Sequence, residues 1–372
     1  MAFSIMAWNW ELRGWPHFVR DRQKLAAREA RFLEQAGLLI GTSRHISDAD
    51  RIELSVSVMS LEAIDTSQIE GETLDRASVQ SSIQRALGLK AARTSARPAE
   101  SGIAQMMVDL LQTTGEPLSD EMLHRWHSEM LTGRTDLKRL GGYREHEEPM
   151  QIISGASYAP KVHYEAPPSS TVPSHMAAFI AWFNQTAPTG ETPLLPIERA
   201  GLAHLWFECI HPYQDGNGRI GRAVSEKALA QGRQRPVFTS LSGALLRHRK
   251  EYYCELELAS STLDADRWLN WFADIALEAQ ERSLKQVEFM LAKTRIFDRL
   301  EAQLNARQEK ALLRMFAEGI DGFKGGLSAK NYMTITGAPT ATATRDLADM
   351  VAKGALIRQG ELKSTRYFLK LE

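Results

Sequence analysis

Apolar residues recur at intervals of three and four along most of the 372 residues, and that spacing points to packed amphipathic helices. Trp8, Trp10, Trp15 and Phe18 read as a small aromatic core. Leu25, Phe32, Leu33, Ala36 and residues 38–40 then predict a helix closed near Gly37 and Gly41. A second helix is expected over residues 48–69, with Gly71 as its stop. Residues 90–101 read as a polar linker, and Ser119-Asp120-Glu121 as the start of another helix. Further helices are expected over residues 174–184, 196–209, from about 218, 244–260 and 265–288. One interruption stands out. Residues 150–153, a turn at 154–157 and residues 161–164 read as strand, turn, strand, ended by Pro167-Pro168.

From about Arg307 the pattern shortens to helices over residues 309–316, 327–333 and 340–353. A hairpin turned at Gln359 and Gly360 follows, and this succession resembles a winged helix. The expected fold is mainly α: a helical core with a β-hairpin, an N-terminal helical module over residues 1–95, a central domain over 96–290 and a winged-helix-like domain over 300–372.

Composition excludes several classes. Lys+Arg at 45 against Asp+Glu at 46 gives no global sign of a polyanion binder. No apolar run reaches membrane-span length, and the N-terminal residues lack signal-peptide character. Two cysteines, Cys209 and Cys254, exclude a disulfide framework or a cysteine-only zinc site, so a soluble protein of the reducing cytoplasm is expected. Cys254 reads as a buried thiol, and His124 and His127 as packed or surface histidines rather than metal ligands.

The chemistry concentrates in His211-Pro212-Tyr213-Gln214-Asp215-Gly216-Asn217-Gly218-Arg219-Ile220-Gly221-Arg222. This loop lies between two predicted helices, so it ends at a helix N-terminus, where free N–H groups and the dipole favour anions. Gly216 and Gly218 let the backbone approach a phosphate closely, and Asn217 adds amide donors. Arg219 and Arg222 offer guanidinium forks to phosphate oxygens. Asp215 supplies one hard oxygen for Mg²⁺, which takes one or two carboxylates plus phosphates and waters. His211 has the ordinary pKa (~6.5) of a base at neutral pH.

This loop resembles the Fic family motif, His-Pro-Phe-x-(Asp/Glu)-Gly-Asn-Gly-Arg-x-x-Arg, with Tyr213 the one departure. The resemblance implies transfer of AMP from ATP to a protein Ser, Thr or Tyr hydroxyl, with Mg²⁺. His211 would be the base, and Asp215, Gly216, Asn217, Gly218, Arg219, Gly221 and Arg222 the nucleotide site. It implies a target-aligning flap at Met150, Gln151, Ile152, Ile153, Ser154 and Gly155, and nucleotide contacts from Tyr252 and Tyr253. Family members frequently carry Asn seven residues beyond the second Tyr; here that place is Ser260. Gly218 argues against the related Doc-type kinases, which have Lys there. The opening Trp8-Asn9-Trp10 and Trp15-Pro16 are similar to an uncharacterised module of some bacterial Fic proteins.

Residues 66–71, Thr-Ser-Gln-Ile-Glu-Gly, match the family's inhibitory pattern. Thr66 and Glu70 share a helix face. The resemblance implies that Glu70 pairs with Arg222 and takes up guanidinium capacity that the γ-phosphate needs, with AMP removal left open as a second activity. The expected partners are a protein substrate, including the chain itself. Homodimerisation stays open. The alternative function is DNA binding by the C-terminal module through Thr342, Thr344 and Arg345, with Lys324, Lys330, Arg358, Lys363, Arg366 and Lys370 as a modest basic bias. Asp346 and Asp349 on the same helix count against groove entry.

Overall fold

The computed structural model describes residues 7–44, 46–92, 95–154, 161–231, 239–320, 322–323 and 325–371. Among them are fourteen α-helices and two small antiparallel hairpins, the mainly helical fold that the apolar spacing predicts. Residues 1–37 and 55–283 form one compact unit, and residues 38–54 and 284–372 a second.

The early helices are α1 (Arg22–Ser43), α2 (Asp48–Ile69), α3 (Arg76–Ala86), α4 (Pro98–Gln112) and α5 (Asp120–Met130). Helix α2 has the predicted limits. Helix α1 does not stop at Gly37 or Gly41 but continues through both, where an added Cβ would meet nothing within 4 Å. A glycine inside a helix costs only ~1 kcal/mol, too little to end one with good packing elsewhere. Helices α3 and α4 escaped the spacing argument, and both are set by their caps. Asp75 accepts the Ser78 N–H, and Glu100 reaches back to the Arg97 N–H at 2.8 Å, so the expected linker ends at Pro98.

The flap strands are β1 (Gln151–Ser154) and β2 (Lys161–Glu165), paired antiparallel with a bulge between Ile152 and Ile153. The turn joining them, with Gly155, lies outside the described residues. Four helices follow: α6 (Val172–Gln185), α7 (Pro196–Ile210), α8 (Asn217–Ala230) and α9 (Leu241–Arg247). The single helix expected over 244–260 is two, because the backbone breaks at His248 before α10 (Arg249–Ala259). Helix α11 runs over Asp266–Arg299.

Within the first unit the core centres on α7 and α8, which are buried along nearly their whole lengths. The opening tryptophans join it as expected: Trp15 packs edge-on against Phe18 and Trp206, and Trp8 against Tyr164.

In the second unit, α12 (Ala306–Ala317), α13 (Ala329–Thr336) and α14 (Thr340–Ala352) precede a ribbon of β3 (Leu356–Gln359) and β4 (Arg366–Leu369). Leu327 pairs with Tyr367 as a third short strand contact. The ribbon does not turn tightly at Gly360; a 3-10 turn at Leu362–Ser364 lengthens the connection. Asp346 does not project from α14 into solvent. It is buried and accepts hydrogen bonds from Tyr332, Arg307 and Asn305, which removes the charge objection raised by its position in the sequence.

Candidate active site

Helix α7 ends at His211, whose backbone lies in the left-handed region at φ 49° while its N–H still closes on the Phe207 carbonyl at 3.0 Å. That conformation is strained for a residue with a side chain and needs outside support. Arg144 gives it. Its guanidinium is buried and donates to the carbonyls of His211 (2.8 Å), Pro167 (2.5 Å) and Ile210 (3.3 Å), while its own N–H holds the Pro212 carbonyl at 2.9 Å. Burial lowers the Arg144 pKa to about 10, so it stays charged at neutral pH. Arg144 lies just ahead of the flap in the sequence. Its sequence neighbours, Tyr143 and Glu145, carry no signal of this role, because the carbonyls it holds come from distant parts of the chain.

The rest of the loop is pinned from within. The Asn217 side chain accepts the Tyr213 N–H and donates to the Tyr213 carbonyl, both at 2.8 Å. Its amide group was expected to face a phosphate and instead closes the loop, because two buried main-chain groups there have no other partner. Tyr213 is buried and stacks on His127 at 4.2 Å, and its hydroxyl bonds His124 at 3.0 Å. Both histidines are therefore packing residues, and burial lowers His127 to about 4. The extra hydroxyl that distinguishes Tyr213 from phenylalanine has its own partner.

Gly216 adopts φ 83°, and a Cβ there would lie 2.5 Å from the Met130 methyl. This turn delivers the N-terminus of α8 to a cavity of about 840 Å³ lined by His211, Asp215, Gly216, Asn217 and Gly218. The backbone N–H groups of a first helical turn lack intrahelical acceptors, so an anion fits there. Asp215 lies beside them, 38% exposed, and accepts from Arg134 at 2.8 Å.

The His211 ring is neutral at physiological pH, because burial and the nearby Arg144 charge lower its pKa to about 4. Its Nδ1 faces the Glu208 carbonyl at 3.4 Å, which orients the proton there and leaves Nε2 as the acceptor. Glu208 itself escaped the sequence reading. Burial raises its carboxyl to about 8, and its Oε2 lies 3.9 Å from His211 Nδ1.

At the arginine side, Arg222 is buried and engaged by α2: Nε donates to Thr66 Oγ1 (2.7 Å), and Nη2 to the Thr66 carbonyl (3.0 Å) and Glu70 Oε1 (2.6 Å). A Cβ at Gly218 would collide with Glu70 Oε1, so that carboxylate sits against the α8 N-terminus. Arg219 pairs with Glu72 at 2.9 Å. Gly221 packs against Glu208 and His204, where a Cβ would lie 2.5 Å from Glu208 Oε1; its role is close packing.

Tyr252 and Tyr253 both reach the cavity. Tyr252 is buried with its hydroxyl on His204 (2.8 Å), and Tyr253 donates to the Ile69 carbonyl at 3.2 Å. Ser260 lines the cavity, but its hydroxyl is engaged by the Glu257 carbonyl. Cys254 is not buried as expected: it is exposed on the same wall, because α10 turns that face outward. Met150, Gln151, Ile152, Ile153 and Ser154 roof the cavity, with Ile153 57% exposed. Lys161 and His163 of β2 both contact Glu257 of α10. Among the described residues no three His, Cys, Asp or Glu side chains converge as a ready metal site. One carboxylate beside a phosphate seat is the donor set that suits Mg²⁺ carried by a nucleotide.

Comparison with known proteins places this geometry. The Fic/DOC family profile matches residues 117–229, and a domain of unknown function, DUF4172, matches residues 8–89. A probable protein adenylyltransferase of Aquifex aeolicus is 27% identical over 146 residues, which are 39% of this chain and 38% of that protein. A protein adenylyltransferase of Caenorhabditis briggsae is 28% identical over 123 residues, 33% of this chain and 22% of that protein. The matched region thus spans well under half the length of either relative. A Fic family protein from Desulfovibrio desulfuricans shares the fold at TM-score 0.52 and 20% identity, with 92% of this chain and 95% of that one covered. A Fic-domain signalling protein from Bacteroides thetaiotaomicron does so at 0.52 and 17%, covering 70% and 97%. The loop and these likenesses agree on one domain: residues 117–229 match the Fic/DOC family, and the relatives and structures are similar to this chain in that fold.

Proposed function

We propose that the protein transfers AMP from ATP to the hydroxyl of a Ser, Thr or Tyr on a protein, itself included. The observation that carries this reading is a neutral, largely buried His211 sharing a cavity with the N-terminus of α8 and Asp215. His211 Nε2 takes the hydroxyl proton as the oxygen attacks the α-phosphorus. The bond from that phosphorus to the bridging oxygen breaks, and pyrophosphate leaves. First-turn N–H groups of α8 stabilise the charge on the α-phosphate, as preorganised donors do. Asp215 would hold the nucleotide's Mg²⁺, which supplies charge neutralisation. The flap aligns the target segment, and Tyr252 and Tyr253 bound the nucleoside end. Labelling with α-³²P-ATP and γ-³²P-ATP tests the reaction: only the α label becomes covalently attached, and His211→Ala reduces it by ~10²–10⁴. Incorporation of the γ label would replace this reading with a kinase.

Glu70 acts as a brake in this proposal. It holds Arg222 and lies against the phosphate seat, so ATP meets a carboxylate where it needs a cation. AMP removal by the same site is read separately, as release of AMP from a labelled protein when Glu70 is present.

A second reading concerns residues 300–372. Thr344 and Arg345 are exposed on α14 while Asp346 faces inward, which leaves a surface able to meet DNA. A gel shift on genomic fragments tests it, with binding expected to weaken as salt rises.

A further inference from the structure

The reactive loop is held by groups outside its own motif, and the segment before α1 supplies several of them. Asn9 is fully buried. Its N–H donates to the Ser260 carbonyl at 2.7 Å, and its Nδ2 to the Ala259 carbonyl at 3.3 Å and to Cys209 Sγ at 3.0 Å. On one side Trp10 Nε1 donates to the carbonyl of Glu165, the last residue of β2, at 2.7 Å. On the other, Trp8 packs edge-on at 5.3 Å against Tyr164, whose hydroxyl donates to the Cys209 carbonyl at 2.5 Å. Three consecutive residues thus join the end of α7 two residues before His211, the end of α10 at the cavity wall, and the end of the flap strand.

Helix ends are where such a tie has most effect, because their last carbonyls lack intrahelical donors. Packing alone does not explain the residue. Asn9 Oδ1 is buried without a hydrogen-bond partner among the described residues, a cost that an apolar side chain of similar size would avoid. The amide is kept for its donor. Residues 8–89 also grip the far end of α7, where Glu29 accepts the N–H groups of Glu198 (2.7 Å) and Ile197 (3.3 Å).

We propose that Asn9 is a positioning residue for AMP transfer: it registers the His211-bearing end of α7 against the nucleotide wall and the flap, acting through Cys209 and the end of α10. This gives the domain of unknown function a part in catalysis and rests on the transfer activity proposed above. A displacement of the base by ~1 Å is enough to slow a reaction on the order of 10²-fold.

The test uses the full chain carrying Glu70→Gly and labelled at the α-phosphate. If that background takes up no label, the transfer reading fails and this inference falls with it. In a background that labels, Asn9→Ala is expected to lower kcat on the order of tenfold or more, with KM for ATP little changed. Ile83→Ala, which thins the α3 core of the same domain away from Asn9, is expected to lower the melting temperature and leave kcat intact. Cys209→Ala is expected to slow transfer by itself, and the Asn9→Ala/Cys209→Ala double variant to be slower by less than the product of the two single effects. Equal rate losses for Asn9→Ala and Ile83→Ala, a change confined to KM, or fully multiplicative effects at positions 9 and 209 would each overturn the proposal. Should Asn9→Ala not fold, an unaltered kcat in Cys209→Ala overturns it alone.

Discussion

Two carboxylates from the N-terminal residues meet the start of a helix, and their surroundings make them opposites. Glu29 sits at the start of α7, almost wholly buried, with both oxygens taken by backbone N–H groups. Glu70 sits at the start of α8, with about a third of its side chain exposed, facing a cavity and paired to Arg222. The attraction is the same in both places, a carboxylate near the positive end of a helix dipole. What differs is whether anything can replace it. No ligand can reach Glu29, so it serves as a cap. A nucleotide triphosphate can compete for the seat of Glu70, which makes that contact suited to regulation.

The largest expected effect breaks the contrast at its regulatory end. Glu70→Gly should raise self-labelling from α-³²P-ATP by roughly 5–150-fold, the range of ordinary couplings between sites. Glu72→Ala should raise it less, because Glu72 engages Arg219 from a more exposed position. Equal, strong labelling of wild type and the Glu70 variant would mean that the contact does not restrain the enzyme.

Next comes the pH profile of that released enzyme. The His211 pKa is depressed to about 4, so the base is already neutral across the ordinary working range. Rates limited by His211 should stay flat through neutral pH and fall only as pH drops toward about 4. An acid limb near the ordinary imidazole value of ~6.5 would show that the ring is more hydrated than its burial indicates.

Glu29→Gln sharpens the structural end. Burial raises the Glu29 carboxyl to about 7, with the two backbone N–H groups opposing part of that shift. A group whose folded pKa is raised stabilises fully below its unfolded value, and that contribution is lost as pH rises through the folded value. The variant lacks this loss, so its stability relative to wild type should improve by about 1–3 kcal/mol between pH ~5 and ~8, as read by thermal melts. The smallest effect belongs to Tyr213→Phe. Deleting the hydroxyl on His124 should change stability by about 1 kcal/mol and leave labelling nearly unaltered.

Much of this site was legible because its chemistry is local. Residues 211–222 are contiguous, and a glycine-rich turn entering a helix makes an anion seat wherever the chain carries it. The limits of α2 and the flap strands followed in the same way, since periods of 3.6 and 2 are written residue by residue. Arg144, Glu208 and Asn9 could not be read so, because each acts on partners supplied by other elements. The same holds for the misreadings. The exposure of Cys254, the inward turn of Asp346 and the engagement of the Asn217 amide depend on which face of a helix is covered, or on which carbonyl lies opposite.

The amino-acid sequence by itself therefore determined the helical character, the placement of the flap and the reactive loop, all of which depend on neighbours within a few residues. Only the tertiary structure decided which carboxylate caps and which one obstructs, and what holds His211 in a left-handed backbone. Those outcomes depend on desolvation and on distances between residues far apart in the chain, and neither exists until the helices pack.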